Sequence, residues 1–176
     1  MTTDRIYTAA LCVIGDEILS GRTQDKNISQ IALWLNLQGI RLREVRVVPD
    51  VEDAIVEAVN QLRARNDYLF TTGGIGPTHD DITVDAIAKA LGVGVVHHPE
   101  ASAMLHKYYE NRGGATEARM RMARVPDGAD LIPKSHVWRA GHPPRQHFHH
   151  GGRAQHHRRD ARCVDRHVGR WCAAPV

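Results

Sequence analysis

Three glycines at positions 73, 74 and 76 stand just ahead of a run of acids in TTGGIGPTHDDIT, residues 71–83. Glycines so spaced let the backbone turn sharply and come close to a ligand. A helix starting behind them presents unpaired N–H groups and the positive end of its dipole. The chemistry this equips is capture of a phosphate or another anion, with Gly73, Gly74, Gly76, Pro77 and Thr78 as contact residues. The spacing is not GxxxxGK[ST], and no lysine follows to reach β- and γ-phosphates, which disfavours a P-loop nucleotidase. It is not GxGxxG either.

Asp80 and Asp81 follow at once, with Asp85 a helical turn later. Carboxylates beside an anion site repel the ligand unless a divalent cation stands between them, so Mg²⁺ or a similar ion is expected, held by Asp80, Asp81 and Asp85. The plainer alternative is that these residues cap the helix. Two other stretches carry the same choice. GDEILSGRTQDKN, residues 15–27, offers Asp16, Glu17, Ser20 and Asn27 as ligand contacts, or is a solvated loop in which Asp25 or Asn27 caps the next helix. Asp50, in VVPD, either caps a helix or brings another acid to the same place.

The elements around these stretches set where they lie. YTAALCVI, residues 7–14, is near-continuously apolar, as expected of a strand buried on both faces of a parallel sheet. Behind the first loop, Ile28, Ile31, Ala32, Trp34, Leu35 and Leu37 fall at helical spacing, with Gly39 as the stop. IRLREVRVV predicts a second strand, and Ile55, Val56, Ala58, Val59 and Leu62 mark one face of the helix after it. Asp67–Thr72 is a third strand, the glycine turn follows, and ITVDAIAKALG is its helix. Alternating strands and helices predict an open parallel sheet covered on both faces, with ligands beyond the carboxyl ends of the strands. All three polar loops fall at that rim. After Leu91 an extended segment leads into a helix through MLHKYYENRGG, and ATEARMRMARVPDGADLIP reads as a further helix and a turn.

Composition narrows the class. The chain has 176 residues, enough for one domain with a real core. It has no apolar run of about eighteen residues, and acids follow its first short apolar stretch, so neither a membrane span nor a signal peptide is expected and a cytoplasmic location is. Cys12, Cys163 and Cys172 form no paired or metal-type spacing. The formal charge of +3 hides an asymmetry: residues 1–133 carry fourteen Lys and Arg against eighteen Asp and Glu, while residues 134–176 carry nine against two.

GDEILSGRTQDKN, the VPD that ends the second strand, and TTGGIGPTHDDIT together resemble the molybdopterin-binding superfamily. That group includes molybdenum-cofactor biosynthesis proteins and the N-terminal domain of the competence/damage-inducible proteins. GDEIL with GGIGPTHDD is more similar to the second branch, and the resemblance covers roughly residues 5–133. It implies a three-layer αβα domain with a mostly parallel sheet that binds molybdopterin or a nucleotide phosphate and forms a homo-oligomer; composition, for its part, points to neither a membrane nor nucleic acid as partner. In the cofactor-adenylating relatives, the acids matching Asp50 and Asp81 serve metal binding and catalysis. In the competence branch the domain is associated with hydrolysis of the pyrophosphate bond of ADP-ribose-type substrates. The resemblance also leaves open a non-catalytic ligand-binding or scaffolding module.

Residues 134–176 read differently from the α/β domain of residues 1–133. They hold eight of the twelve histidines and eight arginines, without periodicity. A metal-binding or nucleic-acid arm is one reading; the histidines show no sustained ligand spacing and few aromatics interleave with the arginines. The other reading is a shifted frame, because Arg, His, Gly, Ala and Pro are what GC-rich coding sequence yields out of frame. With synonymous codons so chosen, His147–Arg153 read one base later gives IFIMAGV, a strand running into a glycine turn, and Lys134–Val137 gives NPTS. The expectation is a slip near Lys134, a domain incomplete at its C-terminus, a disordered tail, and a molecule that exposes apolar sheet edge and folds poorly. Sequencing the coding DNA across codons 130–140 tests the slip.

Overall fold

The computed structural model describes residues 6–76, 81–131, 148–150 and 171–172. The strand at the centre is β1 (Tyr7–Ile14), whose residues from Ala9 to Ile14 are all buried. On one side it pairs in parallel with β2 (Ile40–Val48), on the other with β3 (Tyr68–Thr72). Among the described residues the sheet is ordered β2-β1-β3-β8, where β8 is Trp171–Cys172, parallel to Leu69–Phe70. The outer edge of β3 thus carries a two-residue pairing.

Alternation along β1 and β3 sends successive side chains to opposite faces. Ala10, Cys12, Ile14 and Leu69 pack against Ile55, Ala58, Val59 and Leu62 of α3 (Glu52–Arg65) and Ala86, Ile87 and Ala90 of α4 (Thr83–Leu91). On the other face, Ala9, Leu11, Val13, Tyr68 and Phe70 pack against Ile31 and Leu35 of α2 (Asn27–Leu37). Helix, sheet, helix is the three-layer αβα arrangement that the sequence implies. Each Leu, Ile or Phe so enclosed contributes about 1.5–3 kcal/mol relative to exposure. Leu37, counted with the apolar stripe of α2, departs from it: at 82% exposure it ends the helix beyond the sheet's reach.

The second half departs further from expectation. β4 (Val95–His97) leads into α5 (Pro99–Tyr109), as read, but of the further helix and turn expected over 115–133 the helix is a single turn, α6 (Glu117–Met120), followed by a 3₁₀ turn at Arg121–Ala123. The chain then runs into β5 (Arg124–Pro126), antiparallel to β4, and β6 (Ala129–Leu131), which pairs with β7 (Phe148–His150). Pro126 and Gly128 stop any helix there, and the apolar side chains of the segment instead close a small cluster of Ala101, Leu105 and Ala123. Apart from β7 and β8, residues 132–176 lie outside the described residues, and with them most of the basic tail. Among the described residues no helix is long and apolar enough to cross a membrane.

Candidate functional site

The carboxyl ends of β1, β2 and β3 lie side by side, and backbone and side-chain bonds tie the loops that leave them. Gly15 N–H donates to Val48 O at 3.1 Å, joining the first loop to the end of β2. Asp16 N–H donates to Asp50 Oδ2 at 2.9 Å. Asp16 opens α1 (Asp16–Leu19), a one-turn helix within what reads as loop, so Asp50 covers an unpaired N–H of that helix from across the rim. It does not cap the helix that follows it: α3 starts after Val51 with no side-chain cap.

The other oxygen of Asp50 faces the glycine turn. A Cβ placed on Gly74 would lie 3.4 Å from Asp50 Oδ1 and 2.3 Å from Thr83 Oγ1, and Gly74 has φ +58°. Gly73 is tighter still, with φ +95° and a virtual Cβ only 1.8 Å from Ile14 O. Only glycine fits there, because the turn crosses directly over the end of β1. Thr83 locks the turn to α4: its Oγ1 donates to Gly73 O at 3.0 Å, and its N–H to Gly74 O at 3.3 Å. Thr83 is almost fully buried, and its N–H bond ties the start of α4 to the glycines. The carboxylate of Asp81 lies against Gly76, where an added Cβ would meet Asp81 Oδ2 at 2.6 Å.

The remaining expected residues divide. Glu17 folds its carboxylate over Gly15, 2.7 Å from where a Cβ would stand. Ser20 Oγ accepts from Arg22 Nε at 3.0 Å and donates to Glu17 O at 3.3 Å, so it is engaged within its own loop. Asn27 is the first residue of α2, and the cap of that helix is Asp25, whose Oδ1 accepts from Ile28 N–H at 2.7 Å. Pro77, Thr78 and Asp80 lie outside the described residues. Asp85, expected to hold or face a cation, is ion-paired with Arg124 of β5, because its place in the first turn of α4 sets it beside that strand. Among the described residues no group of three or more His, Cys, Asp or Glu gathers as a metal cage.

Thr83 and Arg124 were not singled out from sequence. Thr83 does end the acidic motif, at a position where a short hydroxyl can reach back to the turn. Arg124 had no such signal, since its partner is 39 residues away. Away from the rim, burial pushes the Cys12 thiol up to about 12 against an opposing pull from Arg46. The Lys89 ammonium is raised by its bonds to Glu52 and then Asp53.

A family model described as "probable molybdopterin binding domain" matches residues 10–151. A protein from Aeropyrum pernix is 42% identical over 120 residues, 68% of this chain and 45% of its own length. A CinA-like protein from Citrifermentans bemidjiense is 41% identical over 125 residues, 70% of this chain and 30% of its own. The chain therefore spans about half or less of the curated relatives it matches. Among solved structures, the protein CinA of unknown function from Thermoplasma acidophilum superposes with a TM-score of 0.74 at 26% identity, covering 96% of this chain and 87% of that one. The tungsten cofactor synthesizing protein MoaB from Pyrococcus furiosus shares the fold, with a TM-score of 0.52 at 16% identity, over 97% of this chain and 82% of that one.

Proposed function

The chain belongs to the probable molybdopterin binding domain family, and from that premise we propose that the rim of β1, β2 and β3 binds a phosphate-bearing pterin or nucleotide. Gly73, Gly74 and Gly76 cradle the phosphate, while Asp16, Glu17, Ser20 and Asn27 line the side of the site formed by the first loop. The observation that carries this reading is Asp50: one carboxylate oxygen takes the Asp16 N–H and the other faces Gly74, so three separate loops converge on one place. A solvated loop with ordinary caps has no need of that convergence.

The donor set fits a divalent cation of the Mg²⁺ type. Such an ion accepts one or two carboxylates and completes its shell with water and ligand phosphate, rather than with an all-protein cage. Asp50 and Asp81, one from each of two loops, are the residues that would hold it. When bound, the ion would neutralise charge on the phosphates. The chemistry then open to the site is hydrolysis of a pyrophosphate bond, as in ADP-ribose, or handling of a pterin cofactor. The chain's own residues seat the anion on the glycine turn, which the Thr83–Gly73 bond holds, and orient the Asp50 carboxylate through the Asp16–Asp50 bond.

A second reading, a binding or scaffolding module without turnover, is favoured by one observation: Asp85 is committed to Arg124, and among the described residues no group of three or more His, Cys, Asp or Glu gathers that could hold a metal. Incubating the chain with ADP-ribose, and separately with ATP and molybdopterin, each with and without Mg²⁺ or Co²⁺, separates the two. Metal-dependent turnover supports the catalytic reading, and binding without turnover supports the module. In the catalytic case Asp81→Asn abolishes turnover and largely keeps binding; unchanged turnover removes Asp81 from the mechanism.

A further inference from the structure

Thr72, the last residue of β3, is 7% exposed, and its Oγ1 is a buried polar atom with no hydrogen-bond partner. Burying a hydroxyl without a partner costs about 1–3 kcal/mol, so such a group calls for a reason. Its place supplies one. Thr72 directly precedes Gly73 and Gly74, and strand alternation puts it on the face shared by Tyr68 and Phe70, next to Val13 of β1. Ile18 of α1 and Ile28 of α2 pack against that same face, so the loop carrying Asp16, Glu17, Ser20 and Asn27 closes over it. Thr71, its neighbour, faces α3 and α4. The hydroxyl therefore lies beneath the glycine turn on the side covered by the first loop.

We propose that Thr72 Oγ1 donates a hydrogen bond to an oxygen of a phosphate seated on the glycine turn, so that the ligand enters between that turn and the first loop, on the α2 side of the sheet. This rests on the anion-site reading above and adds to it a residue and a direction of approach. A serine or threonine hydroxyl can both donate and accept, and donation to an anionic oxygen is among the stronger uses of it.

The test uses the 176-residue chain, with inorganic pyrophosphate and ADP-ribose as probes in titration calorimetry with Mg²⁺, alongside thermal unfolding without ligand. Thr72→Val keeps the shape and strand preference and removes the hydroxyl; Thr72→Ser keeps the hydroxyl. The expected result is that Thr72→Val weakens both probes by about tenfold or more, with an unfolding midpoint equal to or above that of the unsubstituted chain, while Thr72→Ser binds nearly as the unsubstituted chain does. If Thr72→Val binds both probes undiminished, this inference fails and the anion site stands. If it lowers the midpoint while Thr72→Ser does not, the hydroxyl serves the fold and the inference also fails. An unsubstituted chain that binds neither probe overturns the anion site and this inference with it.

Discussion

The sheet rim and the lobe built from α5, α6, β4 and β5 solve the same problem, holding short segments in place, by different means. At the rim, backbone and carboxylate bonds join residues 30 or more positions apart, as in Asp16 with Asp50 and Gly15 with Val48. In the lobe the side-chain polar contacts are local, and the long-range ones are backbone bonds: the β4–β5 pairing, His98 N–H to Ala123 O and Asp127 N–H to Gly94 O. Arg119 donates to Gly114 O and Arg112 O and lies 4.3 Å from the ring centre of Tyr109, and Arg112 stacks likewise on Tyr108. Local contacts hold a surface turn cheaply. A long-range side-chain bond is needed where separate loops must meet at one point, as Asp50 meets Asp16 at the rim. Asp85 with Arg124 is the ion pair that joins α4 to the lobe.

The largest effect should come from breaking the rim at its tightest point. Gly73→Ala drives a methyl into Ile14 O at a positive φ, and urea denaturation should show a loss of about 3 kcal/mol or more. Gly92→Ala is the control: its φ is +72° but nothing lies within 4 Å, so about 1–2 kcal/mol is expected. Equal losses at the two positions would mean that the crossing over β1 is not what demands glycine. Next, Leu105→Ala empties the centre of the lobe's cluster and should cost about 2–5 kcal/mol. Pyrophosphate affinity at the rim should change little in that variant, and an equal loss of binding would erase the distinction between the two regions.

Alkaline pH probes the sheet side of the comparison. The Cys12 thiol titrates near 12 in the folded chain, above its ordinary value of 9.0. Its share of stability is complete below about 9 and is lost as pH rises towards 12, by at most about 1.4 kcal/mol per unit. Cys12→Val should flatten that limb in denaturation curves between pH 9 and 11; an unchanged slope would show the thiol to be reachable by water. The smallest effect is expected at the junction. Asp85→Asn removes a partly exposed ion pair and should cost about 1 kcal/mol or less. If it also raises pyrophosphate affinity, the Asp85 charge repels the anion in spite of its pairing with Arg124.

Much of the first ninety residues was legible because each signal was local and repeated. β1, β2 and β3 begin and end within a residue of where apolar runs and alternation put them. Gly92 ends α4 in a left-handed conformation, as the pattern requires. The lobe was less legible, since strands of three residues are too short to show alternation and β5 exists only through its pairing with β4. Among candidate site residues, the glycines stand out by their spacing, while Asp50 was ambiguous between a cap and a site acid. It proved to cap a helix, but the one belonging to the first loop.

Residue types and spacing alone determined the order of strands and helices through α4 and the need for glycine at the turn, and they make the rim the place to seek a ligand, because all of these follow from periodicity and from backbone sterics. Which oxygen of Asp50 meets which loop, which carboxylate is diverted to Arg124, and which hydroxyl is left buried without a partner were decided only by the tertiary structure. Those outcomes depend on contacts between residues far apart in the chain, and no local pattern encodes such distances.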